Sequence, residues 1–199
     1  MTTTTVEPPV LRRAPRAPGW WGMLLLIATE AALFALLLVS YFDVRFQEPG
    51  AWPPDGVEPP KLLRPVIMTI LLMASSVPAY LAETSIRRGN ARRMLFCLAA
   101  TMLLGTTFLA LQVWEYIDNL KVLTPHTDAY GSLFYTITGL HGCHVMVGLL
   151  LLSWALLWGW RGRYSAESHL PVQNVSLYWH FVHVVWLFVF LSLYLSARV

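Results

Sequence analysis

The sequence predicts an all-α, polytopic membrane protein built as a bundle of five transmembrane helices. Of its 199 residues, 56% are hydrophobic and only 13% are charged, and the mean hydropathy is +0.54. A soluble domain carries about 25% charged residues, so about half of the usual charge is missing. The same shortage excludes a nucleic-acid-binding protein. Cys97 and Cys143 lie inside apolar segments and form neither a disulfide framework nor a paired-cysteine metal site.

Five segments are long and apolar enough to cross a bilayer, which requires about 20 mostly apolar residues. They are residues 20–42, 62–86, 94–117, 131–160 and 175–196. The fourth segment is long enough to tilt or to project from the bilayer. We do not expect the first segment to be a cleaved signal peptide, because Glu30 interrupts it and no small-residue cleavage pattern follows.

Two proline-rich segments are predicted to be irregular. Residues 1–19 contain four prolines and predict a flexible N-terminal arm ahead of the helical domain, residues 20–199. Residues 49–60 contain five prolines and predict an irregular loop, because proline lacks the backbone N–H that a helix needs.

The charges in the connections predict how the helices are oriented. The N-terminal arm, the second connection and the fourth connection are basic, whereas the first and third connections are acidic. By the positive-inside rule, the N-terminus lies inside and the C-terminus outside. An odd number of spans requires the termini to lie on opposite sides, so the two observations agree.

Glu30 is the most unusual residue of the first span. It lies about eleven residues from the start, near the middle of the bilayer at a rise of about 1.5 Å per residue. A charge at that depth costs about 2.5–3.5 kcal/mol, so the side chain must face protein or water or be protonated. One hypothesis is a carboxyl linked to protons or to a lipid headgroup. The favoured alternative is a neutral Glu with an interhelical hydrogen bond.

Four histidines lie in the last two spans. His141 and His144 are spaced i,i+3 and share a helix face, as do His180 and His183. The estimated depths of His141 and His183, roughly 15 and 12 Å from opposite sides, allow an axial pair on a haem. Hydrogen bonding between helices is the commoner role of buried histidine and is favoured here.

The third span carries two further polar or small-residue features. Glu115, at its end, is predicted to be an interfacial carboxylate or to make a helix-end hydrogen bond. Cys97, Thr101 and Gly105 recur every four residues and predict that another helix approaches closely.

Several motifs occur in an order that is typical of one family. LQVWEY, starting at Leu111, is followed by DAYGSLFYTITGLHGCHVMVG and then by YWHFVHVVWLFVF. These segments resemble the subunit III family of the haem–copper terminal oxidases, best known from cytochrome c oxidase. The first span, GMLLLIATEAALFALLLVSYF, resembles the family's helix with a central Glu. The resemblance covers about residues 20–197.

The resemblance implies an accessory subunit that holds no haem, copper or other redox centre. Such a subunit packs against subunit I, which carries the haems and copper, and it sustains proton uptake and turnover. Other oxidase subunits and phospholipid are the expected partners, a respiratory supercomplex is compatible with this role, and a bacterial plasma membrane is the expected location. Glu30 matches the family's buried Glu. The family's other recurrent polar or aromatic positions correspond to Glu115, His141, His144, His180 and Trp186.

The sequence departs from the family pattern in two ways. Many members have seven helices, and this chain resembles the five-helix form that lacks the first two. In the longer members a lipid cleft lies between those two helices and the rest of the bundle, so we do not expect the same cleft here. Many members have an Asp where this chain has His183.

Four other functions are alternatives to the leading hypothesis. Two are related: subunit III of a quinol oxidase and a helper subunit of a nitric oxide reductase. The third is a small proton-coupled transporter that works through Glu30, and the fourth is a membrane haem carrier that uses the histidines. A transporter usually shows broken helices or internal symmetry, and neither is evident in the sequence.

Overall fold

The computed structural model describes residues 17–48, 52–53, 61–120 and 128–198. These residues form five long helices and contain no strand. The helices are α1 (Pro18–Gln47), α2 (Leu63–Arg87), α3 (Ala91–Asn119), α4 (Ala129–Trp160) and α5 (Leu170–Val189). The last helix continues through a π-helical turn, Phe190–Leu195, and a 3₁₀ turn, Ser196–Arg198. All five are long and apolar enough to cross a membrane, which confirms the predicted fold class.

Four of the helices extend beyond the predicted spans, because the apolar segment ends before the helical hydrogen bonds do; α2, at Leu63–Arg87, is shifted by one residue from the predicted span 62–86. α1 continues from residue 42 to Gln47, whose side-chain amide donates to Asp43 one turn earlier at 2.8 Å. α5 begins at Leu170 instead of residue 175, because proline fits the first turn of a helix.

The predicted flexible arm and the proline-rich loop lie mostly outside the described residues. At the end of the arm, Pro18 and Gly19 belong to the first turn of α1. Trp52 and Pro53 are described within the loop, and Trp52 Nε1 donates to the hydroxyl of Tyr41 at 2.8 Å.

Short, capped connections set the antiparallel order of the helices. Gly89 ends α2 with a positive φ of 74°, and Asn90 caps α3 by accepting from the backbone N–H of Arg93 at 3.0 Å. Asp128 caps α4 by accepting from the backbone N–H of Gly131 at 2.6 Å. The α2–α3 hairpin is therefore tight.

α5 forms the centre of the bundle and packs against α1, α2 and α4, while α3 packs against α2 and α4. α1 is peripheral, and only Phe34 and Tyr41 among its residues are buried. The starts of α1 and α5 lie together, since Asn174 donates to the carbonyl oxygen of Gly19 at 3.0 Å. We call this end, which also holds the connections of residues 88–90 and 161–169, the basic end. Its position inside the cell stays a prediction.

One tryptophan fixes the spacing of three helices. Trp179 of α5 is fully buried. A β-carbon at Gly105 of α3 would lie 2.6 Å from its Cη2, and one at Gly148 of α4 would lie 2.7 Å from its Cε3. No real β-carbon comes so close, so the indole fills a space that only these two glycines leave open. We call this space the glycine slot.

Candidate functional site: polar groups of the bundle

Glu30 on α1 pairs with His144 on α4. The Glu30 Oε2 and His144 Nε2 atoms are 3.0 Å apart, and the two side chains are 29% and 12% exposed. His144 Nδ1 lies 2.8 Å from the carbonyl oxygen of Leu140 and must donate to it. Nε2 therefore either accepts a hydrogen bond from a protonated Glu30 carboxyl group or, in the imidazolium, donates one to the carboxylate. Either hydrogen bond links α1 to α4.

His141 lies one turn from His144 but faces the core. It is fully buried, and its ring lies 5.0 Å from Trp186, 5.9 Å from Phe108 and 6.4 Å from Phe34, measured between ring centroids. Neither ring nitrogen has a hydrogen-bond partner in the described part of the chain. The i,i+3 spacing therefore gives two histidines with different surroundings, one polar and one aromatic.

His183 joins α5 to α2. Its Nδ1 lies 2.5 Å from the carbonyl oxygen of Trp179, and its Nε2 lies 3.0 Å from the hydroxyl of Ser75. Nε2 also lies 2.5 Å from the carbonyl oxygen of Leu72. Trp179 Nε1 donates to the same Ser75 hydroxyl at 3.1 Å. Ser75 thus connects the histidine that replaces the family's Asp with the tryptophan of the glycine slot.

His180 and Trp186 lie on either side of His183 along α5. His180 is half-buried, with its ring centroid 5.9 Å from that of His183. Trp186 is fully buried and donates from Nε1 to the hydroxyl of Thr69 on α2 at 2.9 Å. Both tryptophans of α5 therefore hydrogen-bond to hydroxyl groups of α2.

Glu115 lies at the end of the bundle opposite the basic end. It is 5% exposed, and the Tyr194 hydroxyl hydrogen-bonds to its carboxyl group. Arg64 lies near this carboxylate and forms an ion pair with Asp118. The Arg64 guanidinium also stacks over the ring of Trp114 at 4.7 Å. Glu115 is thus an interior residue near an interfacial ion pair.

The predicted site residues do not converge on one centre. Within the described ranges, no group of three or more His, Cys, Asp or Glu side chains is placed to hold a metal ion. The ring nitrogens of His144 and His183 instead face protein oxygen atoms. The arrangement can join helices by hydrogen bonds, and it offers no open coordination position at these two residues.

Three residues of these networks were missed in the sequence. Trp179 precedes His183 by four positions, so helical spacing could have indicated their contact. Ser75 and Tyr194 gave no such signal, because their partners are 108 and 79 positions away along the chain.

Comparison with known proteins identifies the family. The family model for cytochrome c oxidase subunit III matches residues 17–198. The chain belongs to the cytochrome c oxidase subunit III family.

Three similar relatives are each named cytochrome c oxidase subunit 3. The Synechocystis protein is 38% identical over 177 residues, which is 88% of this chain and 74% of that protein. The Oryctolagus cuniculus protein is 36% identical over 87% of this chain and 68% of its own. The Thermostichus vulcanus protein is 34% identical over 89% and 87%.

Membership of the subunit III family agrees with the motifs that carried the resemblance. The matched region includes all five helices, and with them the Glu30–His144 pair and the Ser75–His183 contact. The comparisons give no support to a quinol oxidase subunit, a nitric oxide reductase helper, a transporter or a haem carrier.

Proposed function

We propose that this chain is the accessory, non-redox subunit III of a cytochrome c oxidase. It functions within the oxidase complex, packs against subunit I, and sustains proton uptake and turnover during oxygen reduction. The observation that carries this proposal is the match to the family model over residues 17–198, which includes every helix of the bundle.

The hydrogen-bonding pattern supports a role without a redox centre in this chain. The ring nitrogens of His144 and His183 form hydrogen bonds to Glu30, to Ser75 and to backbone carbonyl groups. Buried polar groups that are satisfied in this way hold helices in register. The haems and copper belong to partner subunits in this proposal.

The surface of α1 supports packing against another membrane component. Large apolar side chains along the whole helix are exposed: Trp21, Leu25, Leu26, Leu33, Leu36, Val39 and Phe46. Such a surface suits lipid tails or the helix of a neighbouring subunit. We assign lipids, subunit I and further oxidase subunits as its partners.

The proposed location is a bacterial plasma membrane, with the basic end inside. Five membrane-spanning helices make the chain a multi-pass membrane protein. The bacterial relative in Synechocystis and the excess of arginine at one end support this location.

Purification of the intact complex through a tag on this chain tests the proposal. We expect a haem–copper subunit I to co-purify in equal amount, and the separated chain to hold neither haem nor copper. An absorbance spectrum, metal analysis and mass spectrometry of the subunits measure these quantities. Stoichiometric haem on the separated chain, or a complex that lacks a haem–copper subunit, would contradict the proposal.

A further inference from the structure

A small polar cleft lies where α2 and α3 meet at the basic end of the bundle. It encloses about 260 Å³. Its lining includes Ser85 and Arg88 from the end of α2, and Asn90 and Arg93 from the start of α3. At about 30 Å³ for each water molecule in the liquid, the cleft has room for a small ion with several water molecules. We call this feature the hairpin cleft.

The backbone of the turn between α2 and α3 satisfies its own polar groups. The N–H of Gly89 donates to the carbonyl oxygen of Ile86 at 2.9 Å, and the N–H of Asn90 donates to that of Ser85 at 2.9 Å. These two bonds form a Schellman motif, which requires the positive φ that Gly89 adopts. The carbonyl oxygens of Ser85 and Ile86 are therefore occupied, and they repel an anion in the cleft less than free carbonyl groups would.

The Ser85 side chain presents a hydroxyl group to the hairpin cleft. The residue is 4% exposed, and its hydroxyl makes no hydrogen bond within the described part of the chain. The hydroxyl oxygen is not fully enclosed either, so the small exposed area of Ser85 includes it, at the cleft that the residue lines. The Thr84 hydroxyl, in contrast, donates to carbonyl oxygens of its own helix. Ser85 thus gains a partner from any acceptor that enters the cleft.

Two arginines of the hairpin cleft have no carboxylate partner. Arg88 and Arg93 are exposed, and no ion pair among the described residues involves either guanidinium group. Glu83, the acidic residue nearest in sequence, pairs instead with Arg87 at 2.6 Å. The Asn90 side-chain oxygen accepts from the backbone N–H of Arg93 at 3.0 Å, which leaves the amide N–H groups of Asn90 to donate. The cleft therefore combines two positive charges with further hydrogen-bond donors.

We propose that the hairpin cleft binds one dianionic phosphate ion from the aqueous phase. Arg88 and Arg93 balance its two charges, and the Ser85 hydroxyl and the Asn90 amide donate to its oxygen atoms. The start of α3 adds the positive end of a helix dipole. A lipid phosphodiester carries one negative charge and has two of its oxygens esterified, so the free ion uses these donors more fully. The inference goes beyond the proposed function, because it rests on the cleft and does not depend on which complex the chain joins.

Equilibrium dialysis of the purified complex that contains this chain tests the site, with radiolabelled inorganic phosphate as the probe. Potassium chloride holds the ionic strength constant, so diffuse attraction to the basic end is equally screened in every sample. We expect one phosphate ion for each copy of the chain in the wild type. Binding should be about tenfold weaker in Arg88→Gln and about a hundredfold weaker in R88Q/R93Q, because each charge-assisted hydrogen bond contributes about tenfold in affinity.

Ser85→Ala tests the geometry of the site without changing its charge. The variant removes a hydroxyl that makes no hydrogen bond to the described residues, and we expect it to bind phosphate about tenfold more weakly. Arg92→Gln is the matched charge control, because Arg92 is exposed at the same end but is not part of the cleft lining. It should retain the binding of the wild type. Haem content and yield show that each complex has assembled.

A competition experiment distinguishes the free ion from a lipid headgroup. Dimethyl phosphate carries the single charge of a lipid phosphodiester, and displacing the labelled ion should require about ten times more of it than of unlabelled phosphate. Equal displacement by the two compounds would overturn the proposal in favour of a headgroup. Absence of phosphate binding, or equal binding in the wild type, S85A and R88Q/R93Q, would also overturn it.

Discussion

The Glu30 carboxyl group on α1 and the His144 imidazole on α4 are joined by a hydrogen bond of 3.0 Å. His144 is oriented for this contact by its own bond to the carbonyl oxygen of Leu140. The pair attaches the peripheral helix α1 to the bundle by a polar contact near the middle of both helices. It also gives the Glu30 carboxyl group a polar partner at a depth where a bare charge is costly.

The replacement Glu30→Gln should therefore have a small effect, and Glu30→Leu a larger one. The glutamine amide can still donate to His144 Nε2, whereas leucine leaves that nitrogen unpaired. We expect E30L to destabilise the bundle by about 1 kcal/mol, between the average and the largest values for hydrogen bonds in membrane proteins. Thermal unfolding of the complex measures the difference. Glu83→Gln, which breaks the exposed ion pair with Arg87, is the control, and an E30L effect no larger than the control effect would contradict this account.

Because of the glycine slot, even a methyl group added at Gly105 or Gly148 should destabilise the bundle. Gly105→Ala and Gly148→Ala each place a methyl group against the buried indole of Trp179, and overpacking of this kind costs about 1–3 kcal/mol. We expect each variant to lower the temperature at which the chain dissociates or unfolds. Gly22→Ala is the matched control, since a β-carbon there meets nothing within 4 Å. Equal stability of all three variants would show that the slot can widen freely.

Ser75 should contribute to the stability of the bundle through its contacts with both Trp179 and His183. Ser75→Ala removes the acceptor of the indole N–H and the hydroxyl beside His183 Nε2. We expect a loss of about 1–2 kcal/mol, because a buried donor is left unsatisfied. The double variant S75A/W179F should lose less stability than the sum of the losses in the two single variants, because a phenyl ring has no N–H that needs an acceptor. A double-mutant cycle on thermal stability measures this coupling, and strictly additive effects would exclude the shared contact.

His183→Asp tests the position where this chain departs from many of its relatives. An aspartate carboxylate would replace an imidazole that can donate, and it would lie near the carbonyl oxygens of Trp179 and Leu72. Without new donors this contact is repulsive, so we expect H183D to assemble less well than His183→Asn, whose amide can donate. The yield of intact complex measures the difference. Better assembly with Asp than with Asn would show that the surroundings of this residue rearrange.

Removal of the whole chain should affect durability more than chemistry. None of the contacts described supplies a haem ligand, so the haem spectrum and the initial rate of oxygen reduction should persist. Assembly yield, or activity after many turnovers, should fall, because in the proposed complex the apolar surface that this chain covers on subunit I would be uncovered. The measurement compares the first-second rate with the rate after sustained turnover. An abolished first-second rate with a normal haem spectrum would mean that this chain takes part in the reaction.

Hydropathy predicted the five helices well, because crossing a bilayer requires a length of apolar sequence that is easily read. It could not predict the helix ends. Residues 43–47 of α1 include the polar residues Asp43, Arg45 and Gln47, yet the helix continues there through backbone and Asp43–Gln47 hydrogen bonds.

The contacts of the candidate site were less accessible to sequence analysis. Helical spacing placed His141 and His144 on one face, but positions three apart still differ by about 60° around the axis at 3.6 residues per turn. This difference sends one ring into the core and the other toward α1. The stripe of Cys97, Thr101 and Gly105 predicted a close approach, and at Gly105 the approaching group is the side chain of Trp179. Such pairings depend on how the helices are rotated, which a single sequence does not reveal.

The position of Trp179 has a consequence for biogenesis. Transmembrane helices leave the ribosome in chain order, so α3 and α4 enter the bilayer before the indole that separates them has been synthesised. Until α5 arrives, Gly105 and Gly148 face each other across a gap, and the four earlier helices have only an incomplete core. The bundle therefore closes in one late step, and a nascent chain interrupted before residue 179 should be a substrate for membrane proteases.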